Sequence, residues 1–259
     1  MCYVTLVCCW TNEKMYSDLV KCIESQTIPC KIIGIDNRGN KGFTSCASAY
    51  NSVMNQIATK YVIYSHQDIV LNNSGVIEKF VSYISGLGRD DILGVAGVRF
   101  DTAGVFANLM HVSRQTGELV PAGRHKIESD IMECDTVDEC FFGGRTEHFR
   151  DFPFDDKTCD NWHLYAAEAC LRTKSECGGK IYICDINIIH LSSGFVNLKF
   201  MLCFVRLCRK YAKHFPLIRV TCRSSRTDSL HLFMYMMKHI KSALKSRAIL
   251  IVKKLLKKE

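Results

Sequence analysis

The feature that most constrains this chain is a short apolar segment that ends in polar residues. Residues 61–64 (YVIY) are apolar or aromatic, which is typical of a strand buried on both faces. Residues 65–68 (SHQD) are polar, and an apolar run resumes at Ile69. Open α/β sheets bind their ligands beyond the carboxyl ends of the strands. The sequence therefore predicts that His66 and Asp68 lie at a binding edge, with a simple polar turn as the alternative interpretation.

Apolar strands alternate with amphipathic segments along the first three quarters of the chain. Predicted strands cover residues 3–10, 31–35, 61–64, 92–98, 135–144 and 180–189, and predicted helices cover residues 13–25, 45–58, 74–85 and a segment that begins near Asp160. Short connections between alternating strands and helices imply right-handed crossovers and a parallel sheet. The chain of 259 residues is long enough for one large α/β domain with an appendage.

Charge and cysteine content suggest where the protein works. The net charge is +8, but residues 194–259 hold 16 Lys and Arg against only Asp228 and Glu259, so the preceding part is mildly acidic. The 15 cysteines include no Cys-x-x-Cys pair, which argues against a zinc ribbon or a redox motif and favours a reducing compartment. The apolar N-terminal run has no basic leader and is too short for a signal peptide, so a cytoplasmic location is predicted.

Several motifs, taken in order, resemble a known enzyme family. Asn12 follows the first strand, Asp36-Asn37 ends the second, and residues 49–51 (AYN) precede the third. This order resembles the nucleotide half of family-2-type glycosyltransferases with the GT-A fold, which usually carry Asp-x-Asp where this chain has His-Gln-Asp. With that substitution, residues 137–140 (VDEC), 162–165 (WHLY) and 190–194 (HLSSG) resemble a bacterial glycosyltransferase-like subfamily. The resemblance spans residues 3–194.

The resemblance implies a fold and an activity. The expected fold is α/β, a GT-A (Rossmann-like) and mostly parallel central sheet flanked by helices over residues 1–195, with a basic helical extension over residues 196–259. The expected reaction is metal-dependent, inverting transfer of a sugar from a nucleotide-sugar, with a UDP-sugar favoured, to a glycan or lipid-linked acceptor in bacterial surface polysaccharide synthesis. The alternative is a non-catalytic nucleotide- or glycan-binding module with a degenerate site.

The resemblance also suggests which residues bind the donor and the metal. A divalent cation, Mn²⁺ or Mg²⁺, would be bound by Asp68 and His190, and His66 would bind metal or phosphate or only shape the loop. Donor recognition is expected from Thr11, Asn12, Glu13, Asp36, Asn37, Asn51, His66 and Gln67. A plain turn at Asp36-Asn37 and a purely structural Asn51 are the alternatives.

An inverting reaction needs a general base for the acceptor hydroxyl. Asp160 is the first candidate, although a helix N-cap would also explain an aspartate there. Asp138 is the rival, because burial in an apolar strand is expected to raise its pKa. Trp162 and Glu139 are expected to contact the acceptor, Trp162 by stacking on a sugar ring.

The basic extension has two amphipathic segments. Apolar side chains recur at helical spacing over residues 198–208 and again over residues 230–258, with lysines and arginines beside them. This pattern is typical of a helix at an anionic membrane surface, and it is too charged to span a bilayer. The predicted location is therefore the inner face of the plasma membrane. Packing on the body or on a second copy in a homodimer is the alternative, and no motif supports nucleic-acid binding.

Overall fold

A computed structural model describes residues 3–113, 115–192 and 196–238. Its strands are β1 Val4–Trp10, β2 Cys30–Asp36, β3 Tyr61–Ser65, β4 Ile69–Leu71, β5 Ile92–Gly94, β6 Ala96–Val98, β7 Phe106–Ala107, β8 Met110–Val112, β9 Leu119–Pro121, β10 Ile131–Cys134, β11 Thr136–Val137, β12 Phe141–Arg145, β13 Ile181–Cys184, β14 Ile188–His190, β15 Leu217–Val220 and β16 Arg223–Arg226. The described chain forms a seven-stranded central sheet in the order β10-β13-β5-β12-β3-β1-β2, two smaller sheets, β4-β14-β8-β9 and β11-β6-β7, and a hairpin, β15-β16.

Helices cover both faces of the central sheet. They are α1 Glu13–Glu24, α2 Cys46–Ser52, α3 Val76–Ser85, α4 Thr146–Asp151, α5 Tyr165–Arg172 and α6 Leu198–Lys210, with short 3₁₀ turns at Arg38–Asn40 and Met54–Gln56 and a π turn at Thr173–Cys177. Successive side chains of a strand point to opposite faces. Leu6 and Ile63 therefore pack with α1 and α3 in one core, whereas Val62 and Tyr64 pack with α2, α5 and α6 in the other.

Five of the seven central strands run in the same direction. β1 is parallel to β2 and β3, and β5 is parallel to β13, whereas β12 and β10 are antiparallel to their neighbours. β12 joins the two parallel groups by pairing with β3 on one side and β5 on the other. The predicted α/β fold with a mostly parallel sheet is confirmed.

The first helix of the basic extension packs on the body. Phe200, Phe204 and Leu207 of α6 are buried in the same core as α2 and α5. At the end of α6, Lys210 Nζ lies 2.6 Å from Glu168 Oε1 and 2.8 Å from Asp155 Oδ2. The domain boundary at residue 196 stays a prediction. The apolar face of α6 packs on the body, as in the alternative interpretation of the extension.

The second predicted helix of the extension is described only in part. Residues 229–238 are helical, and residues 239–259, which include the remainder of the predicted segment, lie outside the described residues. Residues 193–195, which include the last two residues of the HLSSG motif, also lie outside them. No described helix has the length and apolar character needed to cross a bilayer.

Some predicted boundaries were wrong for local reasons. The helix predicted to begin near Asp160 begins at Tyr165, because Leu164 has a positive φ of 70° and stops the helix from extending backwards, so Asp160 is not a helix N-cap. The strand predicted over residues 180–189 is two strands, β13 and β14, in two different sheets. The β15-β16 hairpin was not predicted.

Candidate active site

Three side chains meet where β3 ends. His66 and Asp68 follow β3, and His190 is the last residue of β14, which pairs with β4 so that His190 lies opposite Ile69. His190 Nε2 is 3.4 Å from Asp68 Oδ1 and 3.4 Å from His66 Nδ1. All three side chains are half-buried, and their ligand atoms lie within 4.8 Å of one another. The structure therefore brings together the two predicted metal ligands and His66.

The electrostatics of these three side chains fit a divalent cation. Burial, with the positive charge of His190, lowers the pKa of His66 to about 4, so its imidazole is neutral at neutral pH, which is the form that binds metals. Burial favours protonation of Asp68, but the hydrogen bond and charge of His190 outweigh it and hold the pKa of Asp68 well below its usual range. Two imidazole nitrogens and a carboxylate oxygen form a donor set that suits Mn²⁺ better than Mg²⁺.

Neighbouring hydroxyl groups fix the two imidazole rings. Tyr165 Oη is 3.2 Å from His66 Nε2, and Ser192 Oγ is 3.3 Å from His190 Nε2. The His66 backbone N–H donates to the carbonyl oxygen of Cys140, the residue before β12, at 3.0 Å. Because His66 Nδ1 faces His190, Tyr165 contacts the other ring nitrogen of His66, and outer contacts of this kind orient metal-binding imidazoles.

One cavity lies on the β1 side of this cluster. This strand-end cavity has a volume of about 300 Å³. Its lining includes Thr11, His66, Gln67, Asp68, Trp162 and Tyr165. Gln67 Oε1 accepts hydrogen bonds from the backbone N–H groups of Thr11 and Asn12 at 2.9 and 2.8 Å. Gln67 therefore ties the end of β3 to the loop after β1 and shapes this cavity.

Other predicted donor-binding residues are engaged elsewhere. Asn12 caps α1 by accepting from the Met15 N–H at 3.1 Å. Arg38 lies between two carboxylates, 2.7 Å from Asp36 Oδ2 and 3.1 Å from Glu13 Oε2. Asn12, Glu13 and Asp36 do not line the strand-end cavity as described.

Two predicted asparagines have structural roles. The buried Asn37 accepts from the N–H groups of Gly42 and Phe43 at 3.0 and 2.8 Å, and so fixes the loop after β2. Asn51 pairs with the backbone of Phe154, donating to its carbonyl oxygen at 2.8 Å and accepting from its N–H at 2.9 Å. Both side chains make the contacts expected from the structural alternatives, and their roles in donor binding stay predictions.

A second cavity lies on the other side of the cluster. This acidic cavity has a volume of about 350 Å³. Its lining includes His66, His190, Asp138, Glu139, Trp162 and His163. His66 and Trp162 line both cavities, so the cluster stands between them. The predicted acceptor residues, Trp162 and Glu139, thus line the same cavity as the rival base, Asp138, beside the predicted metal ligands.

Asp138 is held as a carboxylate within this cavity. Its Oδ2 accepts a hydrogen bond from the Thr221 hydroxyl at 2.7 Å, and its Oδ1 accepts from the Cys140 N–H at 3.0 Å. The expectation that burial raises the pKa of Asp138 is wrong. Burial acts in that direction, but the bond from Thr221 and the charges of His190 and His66 outweigh it and lower the pKa.

Asp160 is not among the described residues that line either cavity. Its carboxylate forms an ion pair with Arg206 of α6 and accepts a hydrogen bond from Asn161 Nδ2 at 3.0 Å. Its side chain is 54% exposed, which places it at the surface. The role of Asp160 as a base stays a prediction, and the geometry favours Asp138.

Glu139 differs from its neighbour Asp138. Burial, with the charge of Asp138, raises the pKa of Glu139 well above its usual value. Its Oε1 atom is buried without a hydrogen-bond partner in the described part of the chain. Burial therefore favours the protonated, neutral form of the Glu139 carboxyl group in the folded protein.

Glu139→Gln is expected to stabilise the protein by an amount that grows with pH. The folded wild type retains a proton on Glu139 that the unfolded chain releases above its ordinary pKa, so stability falls as pH rises from the unfolded to the folded pKa. The loss is up to about 1.4 kcal/mol per pH unit in that window. Urea unfolding of the wild type and the variant at pH 5 and pH 7 measures this difference in stability. Glu24→Gln, at an exposed position of α1, is the control. A difference that is constant with pH would contradict the buried neutral acid.

Sequence reasoning assigned no role to several residues that line the acidic cavity. Thr221 and Cys222 come from the turn of the unpredicted β15-β16 hairpin. His163, like the Tyr165 that contacts His66, belongs to the WHLY motif, in which only Trp162 was given a role. The motif was the available signal, and no local pattern marked the hairpin turn.

Comparisons with known proteins show the family and the fold. A family model described as a glycosyltransferase-like family matches residues 5–192. No curated protein matches the chain. Among solved structures, GalNAc-T7 with UDP, GalNAc and Mn²⁺ has a TM-score of 0.57 at 11% identity, with 80% of this chain and 47% of that one covered.

Two further structures share the fold. S. aureus TarS 1–349 in complex with UDP-GlcNAc has a TM-score of 0.52 at 14% identity, covering 82% of this chain and 66% of its own. The mannosyltransferase PcManGT from Pyrobaculum calidifontis, in complex with GDP-Man and Mn²⁺, has a TM-score of 0.51 at 10% identity, covering 82% and 63%. The chain thus spans about half to two thirds of the length of these proteins. With a family match over most of its length, the chain belongs to the glycosyltransferase-like family.

Proposed function

We propose that the protein transfers a sugar from a nucleotide-sugar donor to a glycan or lipid-linked acceptor, with UDP-sugars favoured. The carrying observation is the His66, Asp68 and His190 cluster, which stands between the strand-end cavity and the acidic cavity. One cavity would hold the nucleotide and the other the reacting sugars. Structures of similar fold hold UDP, UDP-GlcNAc or GDP-Man, which supports a nucleotide-sugar donor.

The donor side depends on a divalent cation. Asp68, His190 and His66 would hold it, and Mn²⁺ in two structures of similar fold supports this choice. When bound, the cation acts as a Lewis acid on the charge that develops on the leaving diphosphate. Gln67 positions the Thr11 loop at the cavity wall, and Trp162 offers an aromatic face to the sugar.

The acceptor side depends on Asp138. As the acceptor hydroxyl oxygen attacks the anomeric carbon, its proton passes to an Asp138 carboxylate oxygen and the bond from the anomeric carbon to the phosphate oxygen breaks. Attack on the face opposite the leaving group inverts the anomeric configuration. Thr221 holds the Asp138 carboxylate in place, and the raised pKa of Glu139 disfavours a second negative charge in the cavity.

The test is a screen of nucleotide-sugars by thermal shift and donor hydrolysis, with and without Mn²⁺. A ligand that binds only the folded protein raises its melting temperature. Transferase activity predicts a metal-dependent shift with release of sugar. The rival from another class, a non-catalytic nucleotide- or glycan-binding module, predicts a shift with no release of sugar from any donor.

The proposed setting is bacterial surface polysaccharide assembly at the inner face of the plasma membrane. The motif resemblance supports the setting, and the charge of residues 196–259 supports a membrane surface. Because α6 packs in the core, membrane contact would come from residue 229 onward, where Leu230, Phe233, Met234 and Met237 are exposed. Sedimentation with anionic liposomes checks this, and the variant Phe233→Ser with Met237→Ser is expected to bind several-fold less. Equal binding would reject the membrane proposal.

A further inference from the structure

A groove with basic walls adjoins the acidic cavity. The groove has a volume of about 550 Å³ and lies along the β15-β16 hairpin. The two-residue turn of that hairpin, Thr221 and Cys222, lines both the groove and the acidic cavity. Since Thr221 also hydrogen-bonds to Asp138, the groove begins one side chain away from the candidate base.

The charges of this basic groove have one sign. Its described charged lining residues are Arg219, Arg223 and Lys238, and none of its described lining residues is acidic. Arg219 donates to the carbonyl oxygen of Phe100 at 2.9 Å and Arg223 to that of Cys222 at 2.7 Å, and these bonds orient both side chains. Within residues 3–113, 115–192 and 196–238, none of the three cations forms an ion pair with a carboxylate. Their charge is therefore available to a ligand.

The groove is separate from the donor side. It shares no described lining residue with the strand-end cavity, where Asp68 and Gln67 lie. Its hairpin and the helix at residues 229–238 also lie beyond residues 5–192, the part of the chain that matches the family. The groove thus extends the acceptor side with residues that the family match does not include.

We propose that the basic groove binds a phosphate group of the acceptor, one building block away from the hydroxyl that is glycosylated. This inference rests on the proposed function and names its acceptor class, a phosphate-bearing glycan, polyol or lipid. An acceptor hydroxyl beside Asp138 would place the next part of the molecule across the Thr221-Cys222 turn and its phosphate between Arg219 and Arg223. Arginine pairs with phosphate through strong, charge-assisted hydrogen bonds.

The experiment measures anion binding by the full chain in EDTA, so that no metal site contributes. The probe is inorganic tripolyphosphate, titrated by calorimetry at low salt. Arg219→Gln with Arg223→Gln is the test variant. Arg209→Gln with Lys213→Gln is the matched control, because it removes two charges from exposed residues at the end of α6 that have no described carboxylate partner. A second probe, vesicles of phosphatidylcholine with phosphatidylglycerol, presents the same phosphate chemistry as a lipid headgroup.

The expected result is at least tenfold weaker binding of tripolyphosphate by the test variant, with the control within twofold of wild type. Loss of vesicle binding alone in the test variant would support the same groove with a lipid headgroup as the source of the phosphate. Equal loss in the test and control variants, or none in either, overturns the proposal. Metal-dependent nucleotide binding in the test variant, measured by thermal shift, stays at wild-type level. Failure of nucleotide binding in the wild type would instead count against the proposed function.

Discussion

Asp68→Ala is expected to abolish metal-dependent nucleotide binding and to lower donor turnover by about a thousandfold or more. The ligand atoms of Asp68, His66 and His190 lie within 4.8 Å of one another, and Asp68 is the only carboxylate among them. Lewis-acid stabilisation of a leaving diphosphate is worth several kcal/mol, and about 1.4 kcal/mol corresponds to tenfold in rate. Removing the carboxylate leaves two imidazoles, of which the half-buried His66 is neutral.

Thermal shift with UDP and Mn²⁺, together with release of free sugar from the donor, measures this effect. Asp68→Asn is the second variant, since it keeps the shape and a hydrogen bond to His190 while removing the charge. Asp18→Ala, in an exposed ion pair with Lys14 on α1, is the control for general loss of an aspartate. If Asp68→Ala retained a Mn²⁺-dependent nucleotide shift, the cluster would not be the metal site.

The positions of strand ends could be predicted from local pattern. A fully apolar run followed abruptly by SHQD identified β3 and its carboxyl end, and the parallel arrangement of β1, β2 and β3 followed from strand and helix alternation. Local pattern also placed Asp68 at this edge, whereas His190 was assigned to the same site through the family resemblance. Their contact depends on the pairing of β4 with β14, which joins residues more than 100 positions apart, and only the family resemblance linked them.

The hydrogen-bond partners of the polar side chains could not be predicted from the local sequence pattern. Asp36, Asn37 and Asn51 all sit at strand ends or on a helix near the site, as predicted, yet each is bound by another part of the protein. A polar residue at a binding edge is equally able to satisfy a nearby backbone group, and the sequence does not show which group is nearer. The partner of Asn51, Phe154, lies more than 100 positions along the chain. Asp36 and Asn37 are bound instead within the turn that follows them.

The ionisation of the two acidic residues at 138 and 139 shows the same limit. Burial alone predicts a raised pKa for both carboxyl groups. The structure separates them, because Asp138 receives hydrogen bonds from Thr221 and Cys140 and lies near two histidines, whereas Glu139 Oε1 is buried without a partner among the described residues. Thr221 comes from the hairpin 83 residues along the chain, so its effect on Asp138 could not be predicted from the sequence near residue 138.

Asp138→Asn is expected to lower kcat by a factor of about 10² to 10⁴, the usual contribution of a general base. Asn keeps the size of the side chain and an oxygen that accepts from Thr221 or Cys140, so the acidic cavity should keep its shape. What it loses is the ability to take the acceptor proton. The metal ligands are untouched, so Mn²⁺-dependent nucleotide binding, measured by thermal shift, is expected to equal that of the wild type.

Measuring kcat of Asp160→Asn beside that of Asp138→Asn distinguishes the two candidate bases. Asp160 is 54% exposed and paired with Arg206, and an exposed ion pair of this kind contributes little to stability. Its variant is expected to keep kcat within about twofold. The reverse result, with Asp160→Asn inactive and Asp138→Asn active, would identify Asp160, beside α6, as the base. Asp138 would then only hold the hairpin through Thr221. A loss of kcat in Asp138→Asn that is accompanied by loss of nucleotide binding would instead show that Asp138 supports the metal cluster through the charge it places near His190.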